Sequence, residues 1–275
     1  MTNLLEVTDL NVRYGGAKQL AVRGLRFTLA PGEVLGVVGE SGSGKTTLGM
    51  ALLGLLPEGA KATGSVTFDG VELIGTNEKR LRPLRGTRLS TIMQNAATAL
   101  NPCFTIGSQM TALLRRHRKL AKAAARAEAI AWLRKVGIPA PETRLLAYPH
   151  QLSGGMNQRV VIAMALALKP ELVIADEPTS ALDVTVQAAV LRLLRELIDE
   201  SASAMVLISH DLGVVAQLCS KVIVMNGGDV VESGPVAELM TKPKDAYTRR
   251  LLASLPARRG VALDPAALDT VGGHG

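Results

Sequence analysis

Cysteine is nearly absent: the 275 residues contain two, Cys103 and Cys219, far apart and outside any Cys-x-x-Cys or Cys/His pattern. That excludes a disulfide framework or a cysteine-held metal cluster and leaves both as ordinary core or near-surface thiols. Aromatic residues are also scarce, at 3 % against 47 % hydrophobic residues overall, so the core must be built from Val, Leu, Ile and Ala, as suits an α/β domain. Long apolar runs are missing too. The longest, Val160 to Leu168, is bracketed by Arg159 and Lys169 and falls well short of the roughly 20 residues that span a bilayer. The opening Met1-Thr2-Asn3-Leu4-Leu5-Glu6 lacks the basic and apolar regions of a secretory signal, so a soluble, cytoplasmic protein is expected. Acidic residues are outnumbered, leaving a net charge of +7. This is compatible with anionic lipid, nucleic acid or nucleotide and does not choose among them. The densest basic cluster, Arg115-Arg116-His117-Arg118-Lys119, reads as a solvated helix face.

Glycine, in contrast, is concentrated where it matters. Gly39-Glu40-Ser41-Gly42-Ser43-Gly44-Lys45-Thr46 is a complete G-x-x-x-x-G-K-[ST] phosphate loop, with the apolar run Val34 to Val38 before it and helix-forming residues from Thr47 after it. Such a loop turns successive backbone N–H groups towards phosphates, and the following helix adds its positive end. Lys45 is then expected to reach the β- and γ-phosphates of a nucleoside triphosphate, and Thr46 to offer its hydroxyl to Mg²⁺. A chance glycine-rich turn lacks this strand and helix context.

Short β-like runs (Leu4 to Val7, Val22 to Leu29) separated by Tyr14-Gly15-Gly16 and Ala30-Pro31-Gly32 predict a small antiparallel layer at the N-terminus. A second hairpin is expected over Gly64 to Leu73, turning at Asp69-Gly70, followed by a strand over Leu89 to Met93. From Ala96 to Gln151 the chain is Ala-rich with helical spacing, which predicts an inserted helical subdomain. Strands over Leu172–Ala175, Ala204–Ile208 and Lys221–Met225 then alternate with helices carrying Val186 to Ile198 and Leu212 to Leu218. That alternation implies a mainly parallel sheet. The expected division is one domain over 1–255 with residues 96–151 inserted, and a mobile tail from Pro256.

The apolar run Leu172 to Ala175 ends in Asp176-Glu177, which places two acids at the carboxyl edge of a buried strand. With a phosphate loop upstream, Asp176 fits the Mg²⁺ shell and Glu177 the group that orients or deprotonates the attacking water. Leu152-Ser153-Gly154-Gly155 precedes an apolar helix, with Ser153 suited to cap it, and forms a second anion-binding helix start. One γ-phosphate can use both helix ends only if the chain folds them together or a second chain supplies one.

With these motifs in this order, the chain resembles the ATP-binding subunits of ABC transporters, nearly to Pro256. The resemblance implies an α/β fold of the phosphate-loop NTPase type, the ABC ATPase variant, with a mainly parallel sheet, an N-terminal antiparallel β layer and an inserted helical subdomain. It implies ATP and Mg²⁺ as ligands, bound by Gly39 to Thr46 and the adjoining Thr47. Tyr14 matches the aromatic that stacks on adenine, Gln94 the glutamine at the Mg²⁺ and water, and Asp183 in Ser180-Ala181-Leu182-Asp183 the loop crossing the dimer interface. His210 matches the histidine that senses the γ-phosphate. Ser153, Gly154 and Gly155 correspond to the signature that docks on the partner's nucleotide. Lys45, Glu177 and His210 are thus the catalytic set, and Thr46, Gln94 and Asp176 the metal set. Taken singly, each of these has a bland alternative: Tyr14 as a turn aromatic, Gln94 as a strand-end polar residue, Asp183 as a helix cap, His210 as a structural histidine. His117, His150 and His274 have no partners at ligand spacing.

Ala99-Leu100-Asn101-Pro102, Tyr148-Pro149-His150-Gln151 and Tyr247-Thr248-Arg249-Arg250-Leu251-Leu252 further resemble the peptide and nickel importer subfamily. Its peptide members usually carry a longer C-terminal extension with a cysteine cluster, which leans this sequence towards the nickel or metallophore branch; peptide and nickel both stay open. The implied partners are a second, identical or different, ATPase subunit, two transmembrane permeases and an extracytoplasmic solute-binding protein, with no nucleic acid. The implied location is peripheral, on the cytoplasmic face of the inner membrane. The rival class is a non-transport ABC ATPase such as a cluster-assembly ATPase.

Overall fold

The computed structural model describes residues 3–254; the tail expected from Pro256, with His274, lies outside them. Strand β1 (Leu5–Arg13) alternates, burying Leu5, Val7, Leu10 and Val12, and pairs antiparallel with β2 (Val22–Leu29). It is longer than the sequence run Leu4 to Val7 suggests, because a register shift beside Asp9, at φ 51°, lets the apolar alternation resume one residue out of step. Strand β3 (Val34–Val38) is buried throughout and leads to helix α1 (Lys45–Leu52). Strands β4 (Lys61–Phe68) and β5 (Val71–Glu72) complete a four-stranded antiparallel layer ordered β2-β1-β4-β5. Their hairpin turns at Asp69 and Gly70, both at positive φ, as the Asp-Gly pair requires.

A short helix α2 (Glu78–Leu81) precedes β6 (Leu89–Ile92), after which the chain leaves the sheet for α3 (Ala96–Ala99), α4 (Ile106–Arg118), α5 (Lys122–Lys135) and α6 (Pro141–Arg144). Arg115, Arg116 and Arg118 are exposed on α4. The chain returns through α7 (Gly154–Leu166), β7 (Leu172–Asp176), α8 (Val184–Ser201), β8 (Ala204–Ser209), α9 (Leu212–Leu218) and β9 (Lys221–Asn226). It then makes β10 (Asp229–Pro235), α10 (Val236–Thr241) and α11 (Ala246–Ala253). The second sheet runs β10-β9-β3-β8-β7-β6, parallel except for the edge strand β10. Sequence periodicity misses β10 because only Val230 and Val231 are apolar in an edge strand that is otherwise polar or small.

The period of two sorts the central strands between two cores. Val34 and Val38 of β3, Val173 and Ala175 of β7, and Met205 and Leu207 of β8 pack with α7 to α9 and the inserted helices. Leu35, Val37, Leu172, Ile174, Val206 and Ile208 face α1 and the antiparallel layer. No helix among the described residues is long and apolar enough to cross a membrane.

Arg88 ties the two sheets together. Its guanidinium bonds Glu171, ahead of β7, through Nε and Nη2 at 2.5 and 2.7 Å, and Asp69, behind β4, at 2.6 Å, while lying 5.0 Å from the Phe68 ring centre. Because the side chain is one-third exposed, its ion pairs are partly screened. Arg88→Ala is expected to lower unfolding stability by about 1–2 kcal/mol in urea titrations, with a smaller loss in 1 M salt.

Candidate nucleotide site

Parallel strands deliver their carboxyl ends to one sheet edge, where α/β sheets take ligands. Here β3, β8, β7 and β6 are successive neighbours, so the loops bearing Gly39 to Gly44, His210, Asp176 with Glu177, and Gln94 all leave from that edge.

The phosphate loop is held by close backbone approach. A β-carbon on Gly39 would lie 2.2 Å from the Met225 carbonyl oxygen, and one on Gly44, at φ 100°, would lie 2.1 Å from that of Ala21. Only glycine fits either place. Ser43 N–H donates to Glu40 O at 3.2 Å, and Gly228 N–H donates to Ser43 O at 3.2 Å, fastening the loop to the β9–β10 turn. Gly44 caps α1 without a side-chain hydrogen bond and no acid occupies the first turn, so the helix start presents bare N–H groups.

Lys45 is 5 % exposed. Its Nζ donates to the carbonyl oxygens of Gly39 and Glu40, both at 2.7 Å. Burial pulls its pKa down, against the attraction of Glu177, Asp176 and Glu40. Asp176 is pushed the other way: burial raises its pKa, the Thr46 hydroxyl bonded to it opposes the rise, Glu177 adds to it and Lys45 opposes it. Thr47 Oγ1 lies 3.0 Å from the Tyr14 hydroxyl, which brings that half-buried aromatic against α1.

Glu177 adopts φ 44°, a left-handed conformation that costs a non-glycine residue about 1–2 kcal/mol. Its N–H donates to Ile208 O at 2.9 Å, and its carbonyl accepts from Ser180. Gln94 Nε2 donates to one carboxylate oxygen at 2.9 Å, and His210 Nδ1 lies 3.2 Å from the other. Two residues far apart in sequence thus converge on the carboxylate of a third.

Ser153 accepts from Met156 N–H at 3.3 Å, capping α7, and Asp183 accepts from Val186 N–H at 3.0 Å, capping α8. The two starts touch: a β-carbon on Gly155 would lie 2.6 Å from Val186. Ser153 and Gly154 are exposed. Among the described residues no hydrogen bond joins them to the phosphate loop. The structure therefore gathers Tyr14, Gly39 to Thr47, Gln94, Asp176, Glu177 and His210 into one group, and Ser153 to Gly155 with Asp183 into another. The site has a further contact that the sequence does not announce: Glu40 N–H donates to the Tyr247 hydroxyl at 2.8 Å. The two positions are 207 residues apart, so no local pattern links them.

Strand, phosphate loop and helix, with an acidic strand end on the same sheet edge, define a phosphate-loop ATPase. The family model for the ABC transporter matches residues 22–180, and the chain belongs to that family. ATP binding and hydrolysis follow from that membership and from the site. The oligopeptide transport ATP-binding protein OppD of Bacillus subtilis (strain 168) is 47 % identical over 93 % of this chain and 73 % of its own length. The dipeptide transport ATP-binding protein DppD of the same organism is 47 % identical over 93 % of this chain and 78 % of its own length. Among solved structures, the ATP-binding cassette MJ0796, as a dimer in a post-hydrolysis state bound to ADP and Pi, superimposes with a TM-score of 0.75 at 26 % identity. That match covers 84 % of this chain and 98 % of the cassette.

Asp176 supplies a pH test. With its folded pKa raised above the ordinary 3.8, the folded state binds the extra proton, so the charged carboxylate destabilises the nucleotide-free protein above that folded pKa. This penalty fades as pH falls towards the unfolded value, where both states are protonated. Asp176→Asn is expected to raise the thermal midpoint at pH 7, with the gain shrinking towards pH 4, and to abolish Mg²⁺-dependent hydrolysis.

Proposed function

We propose that this chain is the ATP-hydrolysing motor of a peptide importer, acting with a second ATPase subunit beneath two permease subunits at the cytoplasmic face of the membrane. The observation that carries this reading is the division of the site into two groups, one around the phosphate loop and one around exposed Ser153 and Gly154, with no bond between them. Two chains set head to tail bring the phosphate loop of one against Ser153 to Gly155 of the other, and ATP is then held from both sides. The dimeric state of the MJ0796 cassette supports this arrangement.

On this reading Lys45 leaves the Gly39 and Glu40 carbonyls for the β- and γ-phosphates, and Tyr14 stacks on adenine. The oxygen donors of Thr46, Asp176 and Gln94 suit Mg²⁺, a hard cation, and the Thr46 hydroxyl stands near enough to Asp176 to oppose the rise in its pKa. Mg²⁺ held by these groups would neutralise phosphate charge during transfer. Glu177 orients water and takes its proton, and His210 and Gln94 hold the carboxylate in place. Asp183 borders the partner.

Transport needs membrane partners, since no helix among the described residues can span a bilayer. A hollow of about 250 Å³ lined by Leu53, Leu55, Met93, Leu100, Leu113 and Met164 opens beside Gln94, with Leu55 and Met93 about half exposed. It offers a permease an apolar seat next to a residue that touches Glu177. The names of OppD and DppD favour peptide cargo and, with it, a solute-binding protein outside the membrane; nickel rests on the subfamily resemblance alone.

Glu177→Gln is expected to keep ATP affinity while hydrolysis falls by about 10²–10⁴-fold, to accumulate an ATP-dependent dimer on size exclusion, and to abolish dipeptide uptake in cells while Ni²⁺ uptake persists. Wild-type turnover in that variant would remove Glu177 from the base role, and loss of Ni²⁺ uptake alone would reassign the cargo.

A further inference from the structure

A buried phenol needs a partner for its hydroxyl, and Tyr247, 5 % exposed on α11, finds one in the phosphate loop. The helix is delivered there by a chain of polar contacts. Glu232 on β10 accepts from the N–H groups of Lys244 and Asp245 at 2.9 and 3.1 Å, and Asp245 accepts from Tyr247 N–H at 2.7 Å as the cap of α11. Arg250 lies over the Tyr247 ring, 5.8 Å from its centre. The result is that the Glu40 residue is gripped at both ends. Its N–H donates to Tyr247, and its carbonyl accepts from Lys45.

That double grip has a consequence for nucleotide binding. When Lys45 turns to the phosphates it must release the Glu40 carbonyl, and the entry of the loop then loses one of its two side-chain ties. We infer that Tyr247 is a positioning residue for ATP: its hydroxyl holds Glu40 N–H and keeps the phosphate loop in its receptive shape after Lys45 has let go, making α11 a strut of the site. Simple core filling would need only the ring, and phenylalanine would serve as well. The inference rests on the reading of Lys45 as the phosphate-binding lysine.

The test uses the full chain with a fluorescent ATP analogue and steady-state hydrolysis, comparing Tyr247→Phe, Arg250→Ala and Lys45→Ala with wild type. Tyr247→Phe is expected to raise Kd and KM about fivefold, the equivalent of one ordinary hydrogen bond at about 1 kcal/mol, with kcat unchanged. Arg250→Ala, which leaves the hydroxyl in place, is expected to bind as wild type. Wild-type Kd and KM in Tyr247→Phe overturn the inference, as does an equal weakening in Arg250→Ala, which would make helix packing the cause. Lys45→Ala separates the two ideas. Lost binding there with an unchanged Tyr247→Phe refutes only the tyrosine's role, whereas retained binding refutes the reading of the loop on which that role stands.

Discussion

Strand β3 is the constraint on which the molecule depends. It is buried on both faces, with Val34 and Val38 in one core and Leu35 and Val37 in the other, so a slip of one residue would exchange every side chain between the two. The strand is therefore pinned, and the phosphate loop that follows it starts from a fixed point. The loop's shape is then set by neighbouring backbone: Met225 at β9 against Gly39, and Ala21 ahead of β2 against Gly44. Both sheets contribute a wall.

Against that rigid frame the site concentrates unfavourable features. Lys45 is charged and almost fully buried, Asp176 is raised by desolvation, and Glu177 sits in a left-handed conformation. Each costs stability in the nucleotide-free chain, and the surrounding cores offset them. The same features suit chemistry on a polyphosphate. A lysine resting on two neutral carbonyls is ready to be drawn away by anions, and a carboxylate bonded by Gln94, with His210 at 3.2 Å from its other oxygen, is already oriented.

The two-group layout rests on helix capping. Ser153 caps α7 and leaves the helix start exposed, and that start rests on the first turn of α8, where Asp183 stands. The bland reading of Asp183 as a helix cap and its interface reading are compatible, because a capped helix start is what holds the Ser153 segment in place.

Much of this was legible along the chain. Short continuous apolar runs placed β3, β7 and β8, helical spacing placed α8 and α9, and the glycine spacing with its flanking elements identified the phosphate loop, because each signal is carried by residues within a few positions of one another. The edge strand β10 and the helices α10 and α11 were not legible, since β10 has few apolar residues and the helices, of 6 and 8 residues, are too short to show a period. What only the tertiary structure decided is who meets whom: Gln94 and His210 on Glu177, Tyr14 on Thr47, Tyr247 on Glu40, Lys45 on its own loop, and Ser153 apart from all of them. Those contacts follow from strand order and from packing summed over both cores, quantities to which every residue contributes a little and which no short stretch of sequence contains.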